Sequence, residues 1–149
     1  MGRMAPPDID SSVGRSFSLE IDGVQIAGIA EVSGLALEQD VIEIKETAPD
    51  GTVIIRKLPG RPKAGEVTLI RRLTADQSFE KWVRTLRSDP ATARKTGSIN
   101  VFSVAGTRLR RYRLVNAWPK SLEIGALKAG DTSVLTEKLT LLCERLEPE

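Results

Sequence analysis

Phe17-Ser18-Leu19-Glu20-Ile21-Asp22-Gly23-Val24 sets the fold class of this chain. Phe17, Leu19 and Ile21 fall on one face of an extended backbone, and Ser18, Glu20 and Asp22 on the other. That is the period of a half-buried strand. Asp22-Gly23 is a two-residue hairpin signal, because the reversal needs φ > 0. Val24 to Ala30 reads as the return strand and runs into Glu31-Val32-Ser33-Gly34-Leu35.

Further along, Leu37 to Lys45 alternates again, and Val53 to Leu58 is a β-branched partner for it. Glu46-Thr47-Ala48-Pro49-Asp50-Gly51 between them predicts the tip of a long hairpin, projecting into solvent or a neighbour. Pro59-Gly60 and Arg61-Pro62 read as a turn, before a fifth strand over Glu66 to Arg72 with Val67 and Leu69 on one face. Gly97 to Val104, Leu109 to Trp118 and Ser133 to Glu144 are also β-rich, with Ala105-Gly106 turning the first two. One helix is expected. Thr74 with Gln77 fits a capping box and Asp76 adds charge to its first turn. Phe79, Trp82, Val83 and Leu86 make an apolar face, and Asp89-Pro90 stops the helix. Eight or nine strands, one helix and no βαβ alternation predict a mainly β fold, an antiparallel β-sandwich or barrel with one packed α-helix.

The 149 residues fit one domain with a real core. Residues 1–15, with Pro, Gly and Asp and few large apolar groups, read as a flexible N-terminal arm, and 16–149 as the folded domain. The N-terminus lacks an apolar h-region, so synthesis and folding in the cytosol are expected. No apolar run reaches the roughly 20 residues of a membrane span. The chain has no histidine. The usual general base and the commonest metal ligand are therefore missing, and no catalytic, cofactor or metal site is expected. Cys143, the one cysteine, falls in the apolar row Leu139-Leu141-Cys143 and reads as a buried thiol.

Charge is segregated: a net −7 over residues 1–55, +12 over 56–120 and −3 over 121–149. Three readings fit: a nucleic-acid face, complementary self-assembly, or strands that interleave and cancel. The one concentrated basic run is Arg108-Leu109-Arg110-Arg111-Tyr112-Arg113. Ser33 has no G-x-S-x-G elbow around it, and Gly60 to Gly65 lacks the phosphate-loop spacing.

The order of pieces from Phe17 to Leu146 resembles the tail-tube family of contractile phage tails and related injection particles. The residues that carry the resemblance are the hairpin Phe17 to Gly23, then Glu31-Val32-Ser33-Gly34-Leu35. An acidic strand follows over Glu38 to Glu46, then Lys57-Leu58-Pro59-Gly60, a helix bearing Trp82, and Asn116-Ala117-Trp118-Pro119. An acidic-apolar strand over Glu137 to Glu144 closes the pattern. One departure is Arg72, where the family commonly has Gly after an Arg. If the backbone there needs φ > 0, Arg is strained.

The resemblance implies a structural tube subunit and no enzyme. Six copies would form a ring whose sheets join into one inner barrel, and rings would stack around a lumen carrying protein cargo or DNA. The implied partners are further copies of the chain, a sheath protein, baseplate or spike and cap proteins, and the luminal cargo or DNA, without membrane insertion. The implied location is a virion or an injection particle. Glu38, Asp40, Glu43, Glu46 and Asp50 on the long hairpin, and Arg108, Arg110 and Arg111 on the basic strand, are the candidates for contacts between subunits or rings. A baseplate tube initiator sharing the domain, and a monomeric β-barrel that binds nucleic acid through Arg108 to Arg113, are the alternatives.

Overall fold

The computed structural model describes residues 16–125, 129, 130 and 134–149. The expected arm, residues 1–15, lies outside them. Among the described residues, nine strands appear in order: β1 (Ser16–Ile21), β2 (Val24–Ser33), β3 (Gln39–Thr47), β4 (Val53–Pro62), β5 (Gly65–Arg72), β6 (Lys95–Phe102), β7 (Arg108–Ile124), β8 (Thr136–Cys143) and β9 (Arg145–Pro148). Two helices, α1 (Ser78–Ser88) and α2 (Pro90–Ala93), fall between β5 and β6.

Seven strands form one antiparallel sheet in the order β6-β1-β2-β5-β8-β7-β9. β6 also pairs with β7, so the sheet closes on itself as a barrel. Where β6 and β7 pair, closure removes the edges that an open sheet would leave for aggregation, while the ends of β2 and β7 run on beyond it. β7 makes it work by its length. Its first half, Arg108 to Ala117, pairs with β6, and its second half, from Trp118, pairs with β8. The expected antiparallel β fold is what forms, as a barrel.

Strand alternation places the core as the sequence predicts. Val67 and Leu69 on β5 and Leu139, Leu141 and Cys143 on β8 are buried, together with Leu19, Ile99 and Leu114. Burial also pushes the Cys143 thiol pKa up, as expected of an unreactive core thiol. At the first hairpin, Asp22 and Gly23 both have positive φ, the geometry of a type I′ turn.

Helix α1 corrects one expectation in detail. It begins at Ser78, with Gln77 at the N-cap and no side-chain cap, so the Thr74–Gln77 capping box does not form. Asp76 takes that role instead: its Oδ1 accepts from the Ser78 amide at 3.1 Å and from the Ser78 hydroxyl at 2.6 Å. Asp89 ends α1 and also caps α2, its carboxylate accepting from the Thr92 amide and hydroxyl. The expected single helix is therefore two. Trp82 joins them, its indole N–H donating to the Ala93 carbonyl at 2.7 Å inside the core.

Among the described residues, Arg71 is the one buried cation. Its Nε donates to Glu137, its register partner on β8, and its Nη1 reaches Asp76 Oδ2 at 2.9 Å. The guanidinium also lies 4.0 Å from the Phe79 ring centre. One side chain thus ties β5, β8 and the start of α1 together. Arg72, its neighbour, is an exposed strand residue paired with Thr136, and its φ is not positive. The strain expected from Arg in place of Gly does not arise.

The Asp76 carboxyl is held below the usual carboxylate range, first by its Ser78 hydrogen bond and then by Arg71. A depressed folded pKa contributes stability above the unfolded value and loses it as pH falls through the folded one. Thermal unfolding should therefore show an acid-side loss below about pH 4 that shrinks in Asp76→Asn. An identical acid limb in the variant would remove Asp76 from the account.

Candidate assembly surfaces

The tetrad Lys57-Leu58-Pro59-Gly60 is not a turn. It lies inside β4, where Lys57, Leu58 and Pro59 pair with Glu43, Ile42 and Val41 of β3. The register shifts between Gln39 and Val41, opposite Pro62 and Pro59. A bulge tolerates Pro, and Gly60 permits the close approach there. A Cβ on Gly60 would sit 2.9 Å from the Asp40 carbonyl oxygen. The ladder runs on past Pro62, where the Lys63 amide donates to the Glu38 carbonyl at 2.8 Å, and β5 begins at Gly65.

β3 and β4 form a two-stranded sheet of their own that pairs with no barrel strand. Its tip closes over Ala48 to Thr52, with the Thr52 amide bonded to Asp50 Oδ1 at 2.9 Å. Every residue of the two strands except Gly60 is exposed. Among the 13 exposed large hydrophobic residues described, seven are on this hairpin: Val41, Ile42, Ile44, Val53, Ile54, Ile55 and Leu58. An isolated hairpin is marginal in water, and a concentrated apolar surface marks an interaction site.

Glu31, Val32 and Ser33 end β2, where Ser33 pairs with Thr68. Gly34, at φ +85°, turns the chain out of the barrel toward the hairpin. Leu35 packs against the core edge. Asn116 is the second bend. It has φ 50° within β7, a left-handed position that Asn tolerates better than most residues. Its Nδ2 donates to Glu144 Oε2 at 2.9 Å, and the Glu144 amide donates to the Val115 carbonyl. The bend in β7 therefore faces the break between β8 and β9. Ala117 and Pro119 are buried and Trp118 only half-buried. The strand does not end there as read from sequence, but continues to Ile124 past an irregularity at Pro119.

The acidic candidates Glu38, Asp40, Glu43, Glu46 and Asp50 are all on the hairpin or its base, and exposed. Glu46 pairs with Arg56 at 2.9 Å, and Glu38 lies 3.8 Å from Lys63. Arg108 and Arg110 are exposed near the start of β7. Arg111 is half-buried, 2.9 Å from Glu149 and 3.8 Å from Glu20. Lys95–Asp22 and Lys120–Glu66 are further pairs that bring separated charges together. Part of the charge segregation along the chain therefore cancels within the subunit. The structure does not gather the acidic and basic candidates into one site.

Among the described residues, no group of three or more Cys, Asp or Glu is placed to hold a metal ion. No helix among the described residues is long and apolar enough to cross a membrane. A groove of about 300 Å³ lies between α1 and the first hairpin, lined by Ile21, Val24, Ile26 and Trp82 among others. Sequence reasoning missed it, since its walls come from elements far apart in the chain.

Solved structures of similar fold include chains from a sheath-tube complex, from a tube-terminating cap and an Hcp1 protein. The chain is 21% identical to one in the sheath-tube complex of PVC, an extracellular contractile injection system, in its extended state, with a TM-score of 0.75 and 99% of each chain covered. A chain of the anti-feeding prophage cap, which terminates the tube, is 22% identical at TM-score 0.72, covering 100% of this chain and 94% of that one. Hcp1 from Flavobacterium johnsoniae is 15% identical at TM-score 0.54, covering 89% and 94%. No curated protein sequence matches significantly. The model of the T4-like virus tail tube protein gp19 family matches residues 14–147, nearly the whole chain, and the chain belongs to that family.

Proposed function

We infer that this chain is a subunit of the inner tube of a contractile injection system or phage tail, assembling as hexameric rings stacked around a lumen. The observation that carries the reading is the standing-off β3–β4 hairpin, whose apolar surface its own barrel leaves bare. Stacked copies supply the cover it lacks. Ring closure has support in the barrel. Among the described residues, β1 pairs with β2 only as far as Ile29, and β6 with β7 only as far as Ala117. Glu31 to Ser33 and Ser121 to Ile124 are then open edges on either side of a β2-β5-β8-β7 sheet. Two different edges suit head-to-tail contacts, which close into rings.

On this reading residues 16–149 are the tube domain, and the work is mechanical. A sheath contracts around the tube, and baseplate, spike and cap proteins meet its ends. The lumen conducts protein cargo or DNA. Glu38, Asp40, Glu43, Glu46 and Asp50 meet the basic strand residues Arg108, Arg110 and Arg111 of neighbouring copies. Synthesis is cytoplasmic. No step calls for a cofactor or turnover.

Negative-stain electron microscopy of the purified chain, with its solution mass, tests this. Rings or tubes with a mass of about six subunits are expected. A monomer at every concentration, binding nucleic acid with a steep salt dependence, would overturn it in favour of a monomeric nucleic-acid module.

A further inference from the structure

We propose that the outward face of the β2-β5-β8-β7 sheet lines the bore, and that its balanced charge passes polypeptide while holding duplex DNA back. This rests on the tube reading and names the class of cargo. Six copies of the sheet, joined edge to edge, make about 24 strands and a barrel about 37 Å across at about 4.8 Å per strand. Val67, Leu69, Leu139 and Leu141, on one face of the sheet, are sealed inside the subunit's own barrel. Six such barrels cannot sit within that width. They stand outside it, and the opposite face looks inward.

The register lays out this inner face. Ser33 pairs with Thr68, Thr68 with Thr140 and Thr140 with Ser121, a row of hydroxyl groups across β2, β5, β8 and β7. The next row is Glu31, Ile70, Lys138 and Glu123, paired in that order. Arg72 follows Ile70 on the same face of β5, and Glu66 near the other end of that strand meets Lys120 at 3.3 Å. None of the exposed large hydrophobic residues described lies in these rows.

Charge on this face cancels: Glu31, Glu66 and Glu123 stand against Arg72, Lys120 and Lys138. Glu31, Glu123, Arg72 and Lys138 have no ion-pair partner among the described residues. A polypeptide carries both signs sparsely. It meets no net field from such a lining and no large apolar patch to stick to. Duplex DNA carries one negative charge per about 1.7 Å of its axis. Its phosphates meet unpaired Arg72 and Lys138 in every ring, and counterion release holds it there.

Lys138→Cys in the full chain tests the placement. Cys143 is 3% exposed, so background is low. In dissociated subunits the new thiol should react with a small maleimide and with one carried on a polymer too wide for the bore. In assembled tubes it should keep the first reaction and lose the second. Wide-reagent labelling retained in tubes, or small-reagent labelling lost, overturns the placement and leaves the tube reading standing. Tubes assembled around a fluorescent polypeptide of mixed charge, or around a short fluorescent DNA duplex, test the cargo. At low salt the duplex should be retained at least about tenfold longer, and its retention should fall steeply as salt rises. Arg72→Gln with Lys138→Gln should release both probes equally fast. Equal release from parental tubes, or a double variant that still holds the duplex, overturns the charge argument in favour of a bore open to DNA. A parental chain that never forms rings or tubes overturns the tube reading, and this inference with it.

Discussion

Glu137→Ala should destabilise the subunit by about 3–5 kcal/mol, because it strands a buried guanidinium. Arg71 and Glu137 face each other across β5 and β8, with side chains 4% and 2% exposed. Removing the carboxylate leaves Arg71 with the half-exposed Asp76 and the Phe79 ring as partners. A domain of this size has about 5–15 kcal/mol in all, so the variant should sit close to unfolding. Denaturant midpoints measure the loss, and a shift worth less than about 1 kcal/mol would contradict it. Replacing both partners, as Arg71→Met with Glu137→Leu, should restore most of it, since desolvation of two charges is then avoided. The contrast between single and double variants separates loss of the ion pair from loss of packing.

Gly34→Ala should cost about 2–5 kcal/mol, combining left-handed strain with overpacking. Gly34 has φ +85°, and an added Cβ would lie 2.2 Å from the Glu66 carbonyl oxygen, a backbone atom that cannot swing aside. Gly106 provides the control. Its φ is +83°, yet a Cβ there meets nothing within 4 Å. Gly106→Ala should therefore show only the strain, about 1 kcal/mol. Melting curves of the two variants isolate the clash, and equal losses would refute it. Because Gly34 directs the chain out of the barrel, its variant should also misplace the hairpin and lower tube yield in electron micrographs.

The long-range choices were the hardest to read. Pro59-Gly60 carries the strongest turn signal in its region, and the structure absorbs it as a bulge in a two-stranded hairpin. Trp118-Pro119 looks like a strand end, and β7 continues because Pro119 sits where the pairing with β8 is irregular. Thr74 and Gln77 match a capping pattern, but Asp76 is nearer the first helical amide and wins the contact. In each case a local signal was real, and a neighbour supplied by the fold changed its outcome. The candidate hairpin was legible because its apolar and β-branched runs lie next to each other in sequence. The open barrel edges were not, since they exist only where two partner strands stop short.

The sequence by itself determined the strands along much of the barrel, the Asp22-Gly23 reversal, the apolar face of α1 and the lack of an imidazole anywhere in the chain. These follow from side-chain period, backbone preference and composition, which act over a few residues. Tertiary structure alone decided that β6 meets β7 to close the barrel. It also decided that Arg71 is buried while Arg72 is exposed, and that the aliphatic residues of β3 and β4 stay outside the core. Period tells a strand which face is apolar, but only the folded chain determines what that face meets.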